Sequence, residues 1–245
     1  STQGYSSAAS DVYKRQSYES TTMKTDDFRV VYDDYENFLR YRGKIDFDDM
    51  LVFTYELLSQ RQDILDMWRN RFQYILIDEF QDINTIQYDT VKLLAKERNN
   101  IFAVGDDDQS IYGFRGAAPA IMKRFPKDFP GTKIEYLNMN YRCSYDVVEC
   151  SKRIIKNNTD RYDKNLQSAF APGESDRVHI VKVKDGTEQN RKIVDKIREL
   201  NSAGIPYSDI AVIFRTNTEP RALSSKLMEN GIPFSMKDSI PNIFT

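Results

Sequence analysis

Ile75-Leu76-Ile77-Asp78-Glu79-Phe80-Gln81-Asp82 carries the most structural information of any segment in the chain. The run leading into it, Phe72–Ile77, is short and nearly continuously apolar, which reads as a strand buried on both faces of a parallel sheet. Two adjacent acids then end the strand. In open α/β sheets ligands bind at the carboxyl ends of strands. An acid placed there can hold Mg²⁺ through its water shell, and the next acid can orient or deprotonate an attacking water. Taken alone, Asp78-Glu79 has a plainer account, as two acids favouring the N-terminus of a following helix. With Phe80-Gln81-Asp82 added, the string becomes far more specific.

The same strand–helix alternation continues on the C-terminal side. A helix is expected with Ile83, Ile86, Leu93 and Leu94 inward, followed by a buried strand Ile101–Val104 ending at Gly105. A third strand is expected at Ile134–Leu137, ending at Asn138–Arg142. A weaker repeat of the pattern follows. It has strands at Val178–Val183 and Ile210–Phe214, a helix at Gln189–Leu200, and a last helix opened by Pro220 and closed by Gly231. On the N-terminal side, Asp46 with Asp49 three residues on signals a helix start, with Phe47, Met50, Leu51 and Leu58 on one face. A further helix is expected through Val30, Val31, Tyr35, Phe38 and Leu39. Nine of residues 1–22 are Ser or Thr with no apolar period, so that segment reads as a disordered or non-native lead-in. Alternating strands and helices imply α/β layers with parallel sheets, and the lengths place a domain boundary near residue 142.

Composition excludes several classes. The 245 residues can bury a real core, and 40% apolar with 29% charged residues describes a globular chain. Apolar runs are too short to span a bilayer, and no charged n-region followed by an apolar h-region opens the chain. No membrane role is expected. With 35 basic against 37 acidic residues there is no global electrostatic signature of nucleic-acid binding, so any such binding must be local. Cys143 and Cys150 cannot form a disulfide framework or a four-ligand zinc site. If that segment is helical they lie two turns apart, roughly 10 Å, which suits a reducing compartment.

Two more strand ends carry unusual polar strings. The first runs Gly105-Asp106-Asp107-Asp108-Gln109-Ser110-Ile111-Tyr112-Gly113-Phe114-Arg115-Gly116. A Gln just past a strand can sense a γ-phosphate, while Tyr112 and Phe114 can offer flat faces to bases and Arg115 can pair a phosphate or an acid. Base–aromatic stacking contributes about 1–3 kcal/mol per base and tolerates any sequence. An isolated aromatic pair near glycines would more often be tucked into a core; the whole string argues otherwise. The second is Asn138-Met139-Asn140-Tyr141-Arg142, where an aromatic could stack on adenine and an arginine could reach the charge developing on a γ-phosphate.

In this order the three strings resemble motifs II, III and IV of the superfamily 1 DNA helicases of the UvrD/Rep/PcrA family. The resemblance extends to Ile45-Asp46-Phe47-Asp48-Asp49-Met50, to Ile210–Asn217 with Arg221-Ala222-Leu223, and to Gly231-Ile232-Pro233-Phe234, covering about residues 25–240. It implies two partial RecA-like (P-loop NTPase) parallel-sheet domains preceded by a helical segment. Residues 23–44 would be the tail of a helical insertion, 45–141 the back half of the first motor domain, and 142–245 the front of the second. It further implies an ATP-driven motor that moves 3′→5′ on single-stranded DNA and opens duplex at a junction, in a bacterial cytoplasm at the nucleoid. Carried over by motif, Asp78 would hold Mg²⁺ and Glu79 would activate water. Gln109 and Arg142 would contact the γ-phosphate and Tyr141 would stack on adenine. Tyr112 and Phe114 would stack on DNA bases, and Arg115 would link that loop to the nucleotide site. The family's usual residue at Phe114 is Trp, so stacking area and the indole donor are reduced.

None of the ten glycines opens G-x-x-x-x-G-K-[ST], and the family's later arginine-bearing motif is missing. The chain is therefore expected to be an internal fragment, inactive in ATP hydrolysis by itself. Two other classes match parts of the pattern. One is a non-catalytic homologue that holds single-stranded DNA or a partner. The other is a metal-dependent nuclease built on the acids at 46–49, 78–79 and 106–108. Plainer roles are expected for Asp46, Asp48 and Asp49 (helix capping), for Asp106–Asp108 (shaping the loop and orienting Gln109), for Trp68 (anchoring a helix) and for His179 (a structural strand residue).

Overall fold

The computed structural model describes residues 23–95, 98–113, 117–118, 120–173, 177–216 and 219–236. The expected lead-in, residues 1–22, lies outside these, as do Phe114 and Arg115. The chain parts into two compact units between Arg177 and Val178.

In the first unit, α1 (Thr25–Tyr41) carries Asp26 and Asp27 in its first turn and Arg40 in its last, matching the helix dipole. Gly43, at φ +60, sits just past its end. Helix α2 (Phe47–Gln60) starts where the sequence places it, through a reciprocal capping box. The Asp49 amide donates to Asp46 Oδ1 (2.7 Å) and the Asp46 amide to Asp49 Oδ2 (3.0 Å). Its buried stripe differs from the expected one. Asp49, Val52 and Leu58 turn inward because α2 packs on the later helix α4 (Thr85–Ala95), whereas Phe47 and Met50 are exposed. Helix α3 (Gln62–Arg71) buries Leu65, and its Arg69 Nε donates to the Leu93 carbonyl (2.9 Å). Trp68 stacks on Phe72 at 5.4 Å, at the exit of that helix.

Strands β1 (Ile75–Ile77) and β2 (Ile101–Ala103) pair in parallel, Leu76 opposite Phe102, with α4 as the crossover. The pairing continues past the assigned ends. The Val104 amide donates to the Ile77 carbonyl (2.8 Å) and the Phe80 amide to the Val104 carbonyl (2.9 Å). Beneath this sheet lie Phe80, Ile83, Tyr88, Ala95, Ile121, Phe125 and Phe129, with Ile75, Ile77, Ile101 and Ala103 packed against them. Phe80 and Phe125 meet edge to face at 5.3 Å, a preferred aromatic geometry. Burial on both faces is corrected: Leu76 is 74% and Phe102 61% exposed, because among the described residues only one side of the two-stranded sheet has a layer against it.

Helix α5 (Ala120–Asp128) covers the core, and the segment after it does not form the expected strand at residues 134–137, which make no ladder. The pairing occurs slightly later. Strand β3 (Met139–Asn140) runs parallel to β4 (Gln167–Ser168), with α6 (Tyr145–Ile155) as the crossover. Residues 142–170 therefore belong to the first compact unit.

The second unit holds α7 (Gly186–Ser202) and α8 (Pro220–Glu229). Asp185 caps α7 by accepting from the Glu188 amide (2.8 Å); Pro220 occupies the first turn of α8, and Gly231, at φ +65, lies just past its end. Val194, Ile197, Leu223, Leu227 and Ile232 form its core, with Ile210 and Phe214 against it. The strands expected at Val178–Val183 and Ile210–Phe214 are extended but unladdered, because neither meets a partner strand among the described residues. His179, expected within a strand, is exposed on the first of these segments.

Candidate functional site

The carboxyl end of β1 carries the acids the sequence singles out. Asp78 and Glu79 are both exposed there. Glu79 adopts left-handed backbone (φ 49, ψ 44) and opens a single 3₁₀ turn, Phe80–Asp82. For a residue with a Cβ that conformation costs about 1–2 kcal/mol, so the surroundings must hold it. Its amide donates to Asp78 Oδ1 (2.9 Å), and its Oε2 accepts from Gln81 Nε2 (2.7 Å).

Gln81 is the joint of the site. It is only 1% exposed, and its carboxamide is used at both ends. Nε2 holds Glu79, while Oε1 accepts from the Asp106 amide (3.0 Å) on the loop after β2. Ser110 Oγ donates to the Gln81 carbonyl (3.3 Å). This contact needs a glycine at position 105, where a Cβ would lie 2.8 Å from Gln81 Oε1 and 3.1 Å from the amide nitrogens of Phe80 and Gln81.

Beyond Gly105 the loop makes a second 3₁₀ turn, Asp107–Gln109, capped by Asp106, whose side chain accepts from the Asp108 amide (3.2 Å). Gln109 is exposed, and its Nε2 donates to Asp106 Oδ2 (2.8 Å), so the acidic run does orient Gln109. Two cations from far along the chain meet these acids. Arg161 grips Asp108 with Nε on Oδ1 (2.7 Å) and Nη2 on Oδ2 (2.6 Å). Lys164 Nζ bonds Asp106 and Asp107 and lies 3.0 Å from Asp108. Burial pushes the Asp106 carboxyl up, but hydrogen bonds from Lys164 and Gln109 outweigh it and hold it below its ordinary value. The Arg161 bond does the same for Asp108.

Asn140 shapes the third string, accepting at Oδ1 from the amides of Arg142 (2.9 Å) and Cys143 (2.7 Å). Tyr141 is 76% exposed and Arg142 is exposed beside it. The structure thus joins Asp78, Glu79 and Gln109 through Gln81 and Asp106. Among the described residues no hydrogen bond or ion pair ties Tyr141 or Arg142 to them, since that turn rises from the separate β3–β4 sheet. Tyr112 lies on the Gln109 loop and is half-exposed. Gln81, Gly105, Asn140, Arg161 and Lys164 had no role assigned from sequence; the signal available for Gly105 was a glycine at a strand end, followed at once by acids.

A family model described as the UvrD/REP helicase N-terminal domain matches residues 3–130, and one for the UvrD-like helicase C-terminal domain matches residues 136–242. The chain belongs to the UvrD/REP helicase family. Its paired β-α-β units accord with partial RecA-like α/β domains. Among curated relatives, this helicase-family chain is 38% identical over 218 residues to a putative ATP-dependent DNA helicase, YjcD, of Bacillus subtilis, covering 88% of the chain and 28% of that protein. The ATP-dependent DNA helicase PcrA of Staphylococcus aureus is 34% identical over 218 residues (89% and 30%), and PcrA of Staphylococcus epidermidis 35% over 207 residues (84% and 28%). The chain therefore spans under a third of the length of these relatives. No helix among the described residues is long and apolar enough to cross a membrane.

Proposed function

We propose that this chain is part of an ATP-dependent DNA helicase that couples ATP hydrolysis to 3′→5′ movement on single-stranded DNA and opens duplex at junctions, in the bacterial cytoplasm at the nucleoid. The observation that carries this reading is the exposed pair Asp78–Glu79 at the end of β1, locked by Gln81 to the loop bearing Gln109. Division into motor domains at residues 141 and 142, with 23–44 as the tail of a helical insertion, belongs to the same proposal.

ATP with Mg²⁺ suits these donors, since Mg²⁺ prefers oxygen ligands and Asp78 offers a carboxylate at a strand end. When bound, ATP supplies a γ-phosphoryl group open to in-line attack by water. Asp78 would hold the metal. Glu79 Oε2 is engaged by Gln81, so Oε1 would take the proton of the attacking water. Gln109 would report on the γ-phosphate from a loop fixed by Asp106, and Arg142 would bear on the same group. Tyr141, already exposed, would stack on adenine, with Tyr112 and Phe114 stacking on DNA bases and Arg115 linking that DNA-binding loop to the nucleotide site.

The test is ATP turnover by the full-length protein, with and without single-stranded DNA, beside Glu79→Gln. Turnover stimulated by DNA and abolished in the variant is expected. A parent with no DNA-stimulated turnover would replace this reading with a non-catalytic module that holds single-stranded DNA or a partner, and full activity in Glu79→Gln would remove Glu79 as the base.

A further inference from the structure

Three consecutive carboxylates, Asp106, Asp107 and Asp108, bring their oxygens within 4.8 Å of one another. Such a run repels itself unless cations sit in it. Here the cations come from the chain's own residues 161–164. Arg161 makes a two-pronged contact with Asp108, and Lys164 Nζ contacts all three acids. The Tyr162 amide donates to Asp107 Oδ2 (2.6 Å), and the Tyr162 hydroxyl donates to the Met122 carbonyl on α5 (3.0 Å), fixing the segment on the core. Four of the side chains are largely withdrawn from water, Asp107 at 7%, Asp108 18%, Lys164 20% and Arg161 22% exposed, while Asp106 is 39% exposed.

Both sides of this cluster matter for Gln109. Asp106 Oδ1 takes Lys164, and its Oδ2 takes Gln109 Nε2, so one carboxylate passes the lysine's hold on to the glutamine. The acids lie in the part of the chain matched by the N-terminal family domain, and the cations in the part matched by the C-terminal one. We infer that Arg161 and Lys164 are positioning residues for Gln109, so that seating of the Gln109 loop depends on a segment of the C-terminal domain. The inference rests on the reading that Gln109 acts at the γ-phosphate. A guanidinium is suited to the Asp108 side because only it matches a carboxylate with two parallel bonds.

The experiment uses the full-length protein and four variants: Arg161→Ala with Lys164→Ala together, Arg161→Lys, Gln109→Ala, and the triple combination of the three alanine changes. Two quantities are read, DNA-stimulated ATP turnover with kcat and KM separated, and amide exchange at Asp108 and Gln109. A displacement of about 1 Å at a reacting group can cost about 100-fold. The double variant should therefore lose about 10- to 100-fold in kcat, with KM changed far less. Both amides should exchange about tenfold or more faster, since their acceptors belong to Asp106. The triple variant should be no slower than Gln109→Ala alone, because the cations act through Gln109. Losses that add, or unchanged turnover and exchange in the double variant, overturn the inference. If Gln109→Ala turns over normally, the γ-phosphate reading falls with the inference. A slow Gln109→Ala beside a normal double variant sinks the positioning role alone. Should the double variant fail to fold, Arg161→Lys decides: it keeps the charge but loses the paired bonds, and parental kcat and exchange would refute the role.

Discussion

Replacing Gly105 with alanine tests whether the close approach of the two loops is what assembles the site. The new methyl would lie 2.8 Å from Gln81 Oε1 and 3.1 Å from the Phe80 and Gln81 amide nitrogens, with the latter two fixed in backbone. Overpacking of this kind costs about 1–3 kcal/mol. If the carboxamide swings aside instead, the Asp106 amide loses its acceptor, again about 1–3 kcal/mol. The lower entropy of the unfolded alanine chain offsets about 0.4–1 kcal/mol. The net expectation is a loss of about 1.3 kcal/mol, or about tenfold in the local opening constant. Gly113→Ala is the internal control, because among the described residues no atom beyond its chain neighbours lies within 4 Å of its Cβ position. Both variants would be followed by native-state hydrogen exchange at Phe80 and Val104, whose amides close the extended β1–β2 ladder. A Gly105→Ala variant indistinguishable from Gly113→Ala would refute the argument that the loops are held by direct contact at this glycine.

Removing the α2 cap with Asp46→Ala should cost about 1 kcal/mol, read as a lower urea midpoint at unchanged slope. Truncating Phe125 to alanine in the aromatic core should cost about 3–5 kcal/mol in urea unfolding, whereas Leu76→Ala on the open sheet face should cost less than about 0.5 kcal/mol; equal losses would contradict the one-sided burial of the sheet. The acid–base behaviour of the Asp106–Asp108 cluster has a definite sign. The lowered carboxyls of Asp106 and Asp108 contribute fully above their ordinary value of about 3.9 and lose that contribution as pH falls through the lowered one. For Lys164, burial pushes the ammonium down but the three acids outweigh it, so its share is intact below about 10.4 and lost only above that. Protection of the Gln109 amide, corrected for intrinsic exchange, should stay flat from about pH 5 to 9, and a midpoint near neutrality would disprove the assignment.

Local signals were the ones legible in the sequence. The Asp46-x-x-Asp49 spacing sets a helix start because both bonds of the cap close within four residues. Pro220 and Gly231 bracket α8 for equally local reasons, and short apolar runs located β1 and β2 to within a few residues. What covers a strand is not local. Continuity of apolar residues in Phe72–Ile77 says that both faces favour burial, but not whether a second layer is present, and among the described residues none covers Leu76 and Phe102. The Val178–Val183 and Ile210–Phe214 segments have strand composition, yet a strand is a pairing property and among the described residues they find no ladder. The site divides the same way. Asp78, Glu79 and Gln109 stood out by type and position, whereas the Gln81–Asp106 contact spans 25 residues and the Arg161–Asp108 contact 53, separations over which no periodicity reports.

The left-handed backbone at Glu79 separates two pressures that usually travel together. Sterics at this position favour glycine, asparagine and aspartate, while the carboxylate reach that meets Gln81 belongs to glutamate alone. If Glu79 activates water as proposed, asparagine and glycine at 79 would accumulate in a saturation library as well-expressed proteins without ATP turnover, and valine and isoleucine would be depleted at the level of abundance. The proposed role thus predicts that expression and activity scores part company at position 79, and scores that fall together there would speak against it.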